Sequence, residues 1–348
     1  MHNKSDSEVT DQNASCIWAG CDVAKDTFEV SLATSGVLKN FPVASFKRSP
    51  DGVRELLKWA DKQLESSENN LRVVMEATGK YSVALTCWMV QERPSLEPAI
   101  INPLTAKSFI DSLGFRNKTD TTDARALACF GKQRQPVAYQ LASEAYSRLR
   151  ELVRLRQAII QTRIQYELRL QETESSSPAY KVLKKIVKQQ EKAEKDILVA
   201  TKKLVADDAD LRRDIELIDQ IVGVGFITAT TILGELGDLR RFATARQISS
   251  FAGVNPRRYE SGTSVYKRTA LSKKGSAYAR AALYMASLSI VGGDSDLAKA
   301  YRRLLAAGKP KMSALGVVMR KLLVLMRAII ISGKPYEDGY VEKLAKAS

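Results

Sequence analysis

Four acidic residues occupy positions from which their carboxylates could meet at one site. Asp22 closes a short apolar run, Glu76 ends another, and Asp120 and Asp123 stand three residues apart. Residues three apart share one face of a helix, and an acidic residue at a strand end can point into a cleft. Four carboxylates that meet there repel one another strongly unless cations neutralise them. The sequence therefore predicts a cation site built from these four side chains.

The available ligand types indicate which cation that site would take. The chain has one histidine, His2, and its four cysteines form no CxxC pair, so a zinc site is disfavoured. Hard oxygen ligands select Mg²⁺ or Mn²⁺, and two such ions about 4 Å apart would clamp both reacting oxygens of a phosphodiester. Each acid alone is more simply a solvated strand end or a helix cap. The complete set, in this order, favours the metal interpretation.

Other catalytic arrangements are excluded or unsupported. A single histidine in a polar tail removes Ser–His and Cys–His catalysis. Gly79-Lys80 is followed by Tyr81 and lacks the glycine spacing of a P-loop, and there is no GxGxxG motif. The chemistry of an enzyme with this sequence must rest on carboxylates, hydroxyls and basic groups.

The charge distribution indicates a polyanionic partner. The formal net charge of the 348 residues is +15, and the sequence pI is about 9.6. From Pro256 to Ser348 there are 18 Lys and Arg against 6 Asp and Glu, so most of the excess lies near the C-terminus. Such a concentration suits counterion release from a nucleic-acid backbone.

A second candidate site lies in this basic segment, at residues 253–264. Arg257 and Arg258 can hold a phosphate, and Ser261 precedes Gly262, where a hydroxyl is little hindered. On the residues alone, Pro256 and Gly262 bracket an exposed turn in a basic loop that contacts DNA, and Ser261 is more often a turn residue than a nucleophile. Further basic contacts are predicted at Lys267, Arg268, Lys273 and Lys274.

Upstream of that segment, residues 221–230 resemble the turn of a helix-hairpin-helix element. Gly223 and Gly225 would let backbone N–H groups approach a DNA phosphate at a helix N-terminus. Gly-x-Gly also occurs in many ordinary helix–helix turns, so the pattern leaves both interpretations open.

The elements expected to position the acids alternate between strand and helix. Strands are predicted at 17–24, 27–33, 38–46, 71–75 and 98–101, with helices at 53–60, 81–90 and 120–130. By analogy, this order is that of an RNase H-like α/β domain. Two amphipathic helices follow, at 146–170 and 180–204, and they favour a coiled-coil dimer arm over a plain linker.

Several blocks of the sequence, taken together, resemble the insertion-sequence 110 family of transposases, to which the Piv DNA invertases are related. The resemblance runs from about residue 17 to about residue 335. The blocks that carry it are Cys21-Asp-Val-Ala-Lys25, Glu76-Ala-Thr-Gly79, Ile101-Asn-Pro103, Lys118-Thr-Asp-Thr-Thr-Asp-Ala-Arg125 and Phe251-Ala-Gly to Arg257-Arg-Tyr-Glu-Ser-Gly262.

The resemblance implies a RuvC-like domain with a DEDD metal site at Asp22, Glu76, Asp120 and Asp123, and an all-α transposase domain whose catalytic serine is Ser261. The implied mechanism is attack of that serine on a DNA phosphate, assisted by Mg²⁺ or Mn²⁺, followed by strand exchange and religation. Characterised relatives act as oligomers that combine the two halves of a site from different protomers. Some are guided by a structured non-coding RNA, so DNA, a guide-type RNA and further copies of the chain are the implied partners.

The implied organisation has four segments and no membrane span. They are a disordered tail at 1–15, the RuvC-like domain at 16–145, the arm at 146–205 and the helical transposase domain at 206–340. Without a signal peptide or an uncharged apolar stretch, we expect a cytoplasmic protein that associates with the nucleoid when bound to DNA.

Two other functions are compatible with the same residues. A RuvC-like junction endonuclease would use the four carboxylates with water as nucleophile, and Ser261→Ala would leave its strand cleavage intact. A catalytically silent nucleic-acid-binding protein would tolerate Asp22→Ala and show no metal-dependent cleavage.

Overall fold

A computed structural model describes residues 16–64, 71–115, 119–141, 143–261 and 265–336, with the backbone alone for 257–261 and 265–270. The predicted tail at 1–15 lies outside these ranges. The chain divides into two compact units, Met1–Leu141 and Ala142–Ser348. The first is an α/β unit, and the second is mostly helical.

The first unit contains a five-stranded sheet in the order β3-β2-β1-β4-β5. β2 runs antiparallel to β1 and β3, whereas β1, β4 and β5 run parallel. The strands are β1 (Ile17–Val23), β2 (Thr27–Leu32), β3 (Val43–Lys47), β4 (Leu71–Glu76) and β5 (Ala99–Ile101).

The expected third strand begins later than its apolar run suggests. Residues Leu38–Asn40 form a 3-10 turn, and β3 starts only at Val43. Pro42 has no N–H to give to a sheet ladder, so the extended pairing starts after it. The prediction of a strand from residue 38 was therefore wrong, while the other four predicted strands are confirmed.

Helices cover both faces of this sheet. On one face, α1 (Pro50–Leu64) and α2 (Lys80–Glu92) pack against alternate residues of β1, including Cys21 and Val23. On the other face, α3 (Pro103–Ser112) and α4 (Asp120–Arg134) share a core with Trp18. Since successive strand residues point to opposite faces, Gly20 and Asp22 lie on the α4 side together with Trp18.

The second unit begins with two long antiparallel helices, α5 (Glu144–Glu172) and α6 (Pro178–Asp207), joined by a short turn. Ser177 caps α6 by accepting a hydrogen bond from the Ala179 amide, and Pro178 occupies its first turn. The ion pair of Arg156 with Glu194, at 2.6 Å, joins the two helices. The predicted pair of long helices is confirmed.

Six further helices and one β-hairpin complete the second unit as far as the structure describes it. The helices are α7 (Ala209–Asp219), α8 (Phe226–Leu236), α9 (Ala245–Ala252), α10 (Ala277–Val291), α11 (Asp296–Ala306) and α12 (Lys311–Ser332), and the hairpin strands are β6 (Pro256–Ser261) and β7 (Val265–Leu271). The apolar side of α12 lies in the core of this unit. Within the described ranges, no helix is both long enough and apolar enough to cross a membrane.

The hairpin corrects two expectations about the C-terminal region. That region is not all-α, and Pro256 begins a strand instead of opening an exposed turn. Gly262, the other end of the expected turn, lies outside the described residues. In the sequence, β-branched and aromatic residues such as Tyr259, Val265 and Tyr266 flank Gly262, and this pattern is a hairpin signal. The basic residues between them indicate a partner but do not report on this extended backbone.

Candidate active site

Asp22 and Glu76 lie side by side at one edge of the first unit's sheet. Cys21 pairs with Met75 in the parallel register of β1 and β4, so the following residues, Asp22 and Glu76, are neighbours. Both stand at the carboxyl ends of their strands and on the α4 face. In α/β sheets this edge is where ligands usually bind.

The first turn of α4 brings Asp120 and Asp123 to the same place. Thr119 caps the helix, and it exchanges hydrogen bonds with Thr122 in a capping box. Carboxylates in the first helical turn interact favourably with the helix dipole. Asp120 is exposed, whereas Asp123 is buried at the underside of the helix.

A close contact between α4 and β1 fixes the height of that first turn above the sheet. A Cβ atom added at Gly20 would come within 2.0 Å of the Ala128 backbone N and 2.2 Å of the Ala124 carbonyl O. Further along α4, a Cβ at Gly131 would meet the Trp18 ring at 2.7 Å. Because glycine has no side chain, these two positions let α4 lie directly on β1. The acids in the first turn of α4 then lie over Asp22.

The pKa of Asp22 reflects both its burial and the acids near it. The pKa of Asp22 is raised from its usual 3.8 to about 6. Burial of the carboxyl group is the largest cause, followed by repulsion from Asp120, Asp123, Glu76 and Glu29, in that order. All three predicted partners of Asp22 thus lie within its electrostatic reach.

Glu29 is a fifth acid that the sequence interpretation missed. It lies opposite Asp22 in the β1–β2 register, on the same face of the sheet. Its Oε2 accepts a hydrogen bond of 2.9 Å from the Thr121 hydroxyl in the first turn of α4. The available signal was the alternation Phe28, Val30, Leu32, which puts Glu29 on the opposite face from these core residues and therefore toward Asp22.

The oxygen donors of this cluster fit a hard divalent cation. Their side chains, however, are not arranged as a coordination sphere. In the described residues, no three His, Cys, Asp or Glu side chains stand in an arrangement that could hold a metal ion. Mutual repulsion among ionised carboxylates opposes such an arrangement without a cation. Asp120 is exposed at the start of α4, so packing does not fix its carboxylate in place.

The second predicted site lies on the hairpin of the other unit. Ser261 ends β6, where its backbone pairs with Val265 of β7 beside residues 262–264. Arg257 and Arg258 lie on β6, and Lys267 and Arg268 on β7. The described backbone thus puts the candidate serine at the last residue of β6, paired with the first residue of β7.

The root of the hairpin is held tightly. The Ser272 hydroxyl donates to the Asn255 side chain at 2.6 Å. Gly275 approaches the end of α9 so closely that a Cβ there would lie 2.2 Å from the Phe251 carbonyl O. Lys273 and Lys274 are exposed at this root. The hairpin whose first strand ends at Ser261 therefore has an anchored base.

A buried carboxylate connects that base to the long helices. Glu235 of α8 accepts two hydrogen bonds from Arg154 of α5, at 2.7 and 3.1 Å, and one from Ser276, at 2.8 Å. Ser276 is the N-cap of α10, in the segment that connects β7 to this helix. The contact links the first half of α5 to the chain that follows the hairpin.

The glycines at 223 and 225 play different parts. Gly223 has a φ of +85°, and a Cβ there would meet Ile290 at 2.7 Å, so packing against α10 accounts for it. Gly225 is exposed at the N-cap of α8, with open space where its side chain would be. A phosphate contact thus stays a prediction for Gly225, and Gly223 has a structural explanation.

Two segments of the chain match models of one family. Residues 19–176 match a DEDD-type IS110 model described as a transposase, and residues 215–302 match the Transposase IS116/IS110/IS902 family. Together the two matches cover more than two thirds of the chain. The chain belongs to the IS110 family of transposases. It is therefore an enzyme of the DNA transposase and recombinase class, and the DEDD designation points to use of a divalent metal.

Curated relatives agree with this membership. The chain is 27% identical over 321 residues to the "Pilin gene-inverting protein" of Moraxella lacunata, a match that covers 92% of this chain and 97% of the relative. The protein of the same name from Moraxella bovis is 26% identical over the same shares. A shorter match of 75 residues, 33% identical, covers 22% of this chain and 20% of the "Transposase for insertion sequence element IS1111A" of Coxiella burnetii.

Proposed function

We propose that this IS110-family enzyme cuts and rejoins DNA by serine transesterification, with the carboxylates and the serine as two halves of one catalytic site that different protomers supply. Asp22, Glu76, Asp120 and Asp123 would hold two Mg²⁺ ions, with Mn²⁺ as a substitute, and Ser261 would be the nucleophile. The observation that carries the proposal is the convergence of Glu76, Asp120 and Asp123 on Asp22 at the carboxyl ends of β1 and β4.

Residues 16–145 are assigned as an RNase H-like, RuvC-like domain. Its support is the strand order β3-β2-β1-β4-β5, in which β2 alone runs antiparallel to both of its neighbours. Residues 146–205 are assigned as a coiled-coil arm that joins protomers, and 206–340 as the transposase domain with the serine hairpin and a helix-hairpin-helix-like element. α7 and α8, with their glycine turn, support that last assignment.

The chemical step is a balanced exchange of esters. The Ser261 Oγ forms a bond to the phosphorus, a deoxyribose oxygen leaves with its electron pair, and the serine proton ends on that oxygen. Bound divalent ions would supply charge neutralisation at the phosphate and the leaving oxygen. Rejoining reverses the exchange with the hydroxyl of another strand, so no nucleotide hydrolysis is needed.

DNA is the proposed substrate, and a guide-type non-coding RNA and further copies of the chain are the proposed partners. The gene-inverting relatives support inversion as one outcome of the same chemistry, and the insertion-element relatives support transposition. Basic residues on and after the hairpin would contact the DNA backbone. They are Arg257, Arg258, Lys267, Arg268, Lys273 and Lys274.

The test is a search for the covalent intermediate. The full-length protein is incubated with Mg²⁺, any co-purified RNA and DNA containing the element junction, and the adduct is mapped by mass spectrometry. We expect DNA on Ser261 in the wild type and in the control Ser264→Ala, and none in Ser261→Ala or Asp22→Asn. Strand cutting that survives Ser261→Ala would instead support a water-using junction endonuclease. Cutting that survives in every variant, or a wild type that does not cut, would contradict the proposed catalysis.

A further inference from the structure

A basic pocket lies at the same edge of the sheet as the candidate carboxylates. Its volume is about 330 Å³. Part of its lining comes from the start of α2, one of the two helices that cover the face of the sheet opposite α4. The residues that line it are Lys25, Asp26, Arg48, Lys80, Tyr81 and Ala84.

The chain segments that build this pocket leave the strands that carry the acids. Lys25 follows Asp22 by three residues in the turn after β1, and Lys80 follows Glu76 by four residues at the start of α2. Arg48 comes directly after β3, whose last residue, Lys47, pairs with the first residue of β2. The ends of β1, β3 and β4 all meet at this edge, so the pocket and the acids adjoin.

Arg48 is fixed in place as a lining group. Its Nε donates a hydrogen bond of 2.6 Å to the Lys25 carbonyl oxygen. Its guanidinium carbon lies 4.5 Å from the centre of the Tyr81 ring, a cation–π contact. A second ring, that of Trp88, lies 6.0 Å away. These contacts orient the guanidinium and satisfy Nε without neutralising the charge.

Among the residues that the structure describes, Lys25, Arg48 and Lys80 form no ion pair, so no salt bridge neutralises the positive charge of the pocket. Other arginines of this unit form ion pairs with acidic side chains. Arg54 pairs with Glu92 and Arg93 pairs with Asp61, both at 2.7 Å. The exposed Asp26 offsets one of the three positive charges, so the pocket keeps a net positive charge.

We propose that this pocket binds a phosphodiester group of the DNA strand that lies at the carboxylates. The inference rests on the proposed function, since it needs a DNA strand at Asp22. A cut strand continues past the metal site, and its next phosphates must be held against the repulsion of the acidic cluster. Two lysines and an oriented arginine at the adjoining edge supply that attraction and set the path of the strand around β1.

Substituting the two lysines tests the pocket while Arg48 stays anchored, because Arg48 bonds the backbone of Lys25 and not its side chain. Lys25→Gln/Lys80→Gln is compared with Lys58→Gln/Lys62→Gln, which removes the same charge from exposed positions on α1. Thermal unfolding first confirms that both variants fold as the wild type does.

Binding of labelled single-stranded DNA and RNA is then measured by fluorescence anisotropy across a salt series. Two lost phosphate contacts should make the slope of log K against log salt shallower by about 1.4, and weaken DNA binding roughly tenfold at moderate salt. The α1 control should retain the wild-type slope. Equal slopes in all three proteins, or an equal loss in the control, would overturn the pocket. An effect on RNA binding alone would overturn its assignment to DNA.

Lysine acetylation provides a second measurement that does not depend on catalysis. We expect bound DNA to protect Lys25 and Lys80 from acetylation, and to leave Lys58 and Lys62 reactive, in the wild type and in Asp22→Asn. Unprotected pocket lysines in a DNA complex would contradict the inference. Cutting that persists in Asp22→Asn would instead contradict the proposed function, so the two failures are distinguishable.

Discussion

Thr121, in the first turn of α4, donates a hydrogen bond of 2.9 Å to Oε2 of Glu29 on β2. Glu29 in turn stands opposite Asp22 in the sheet register. The contact ties the helix that carries two candidate ligands to the strand beside a third. We therefore expect Glu29 to position the carboxylate cluster through its hydrogen bond with Thr121.

Replacing Thr121 tests that role. Thr121→Val removes the hydroxyl at nearly constant size, and Thr121→Ser keeps it. Since a hydrogen bond to a charged group contributes about 1.5–3 kcal/mol, we expect Thr121→Val to raise the Mg²⁺ concentration for half-maximal strand cutting by at least about tenfold. Thr121→Ser should stay near the wild type. If both variants have the wild-type Mg²⁺ requirement, the contact has no part in positioning the acids.

The raised pKa of Asp22 makes a prediction about the metal-free protein. Asp22 has a pKa near 3.8 when unfolded and about 6 when folded, so the folded state binds more protons between these values. The contribution of Asp22 to the free energy of unfolding therefore falls as pH rises through that window. Its destabilising effect is complete above about pH 6. Asp22→Asn should abolish cutting and yet stabilise the metal-free protein at neutral pH by about 1 kcal/mol, after allowance for solvent screening of a half-exposed group.

Thermal unfolding in EDTA at pH 4 and pH 7.5 measures this effect. The difference in melting temperature between Asp22→Asn and the wild type should be small at the lower pH and positive at the higher one. Added Mg²⁺ should then stabilise the wild type more than the variant. A variant that is less stable than the wild type in EDTA at pH 7.5 would show that repulsion at Asp22 is not a cost of this fold.

The sequence predicted the framework of this site better than its surroundings. Asp22 and Glu76 end apolar runs, and strand ends are recognisable from the change in residue type alone. Asp120 follows a Thr cap, so its helix was equally visible. Glu29 was not, because a single acid within a strand is ordinary until the register places it against Asp22. Register and sheet order are long-range properties that local patterns do not determine.

The backbone of the C-terminal region was predicted less well. Its basic residues predict a nucleic-acid partner, but they do not indicate whether the chain forms a turn or a strand. Pro256–Ser261, which was predicted as an exposed turn, is a strand. The pocket at Lys25, Arg48 and Lys80 was invisible for a related reason. Its three cations lie far apart in the sequence, and only the sheet brings their loops to one edge.

Gly20 provides a test of the close contact that sets the height of α4. A methyl group at this position has no room, because backbone atoms of α4 and not flexible side chains stand in its way. We expect Gly20→Ala to destabilise the protein by about 3 kcal/mol or more and to weaken metal-dependent cutting. Gly36→Ala is the matched control, since nothing lies within 4 Å of the added atom. Chemical denaturation of both variants gives the comparison, and equal unfolding free energies would contradict the contact.

The exposed apolar residues of the long helices test the proposed arm. Ile164 and Leu168 lie one turn apart on α5, and they are 46% and 54% exposed. If this face joins protomers, Ile164→Glu/Leu168→Glu buries charge in an apolar interface and should weaken self-association about 100-fold or more. Val37→Glu, at a residue that is 57% exposed in the first unit, is the control. Analytical ultracentrifugation over a concentration series measures the dissociation constant. An arm variant that associates as tightly as the control would place the protomer interface elsewhere.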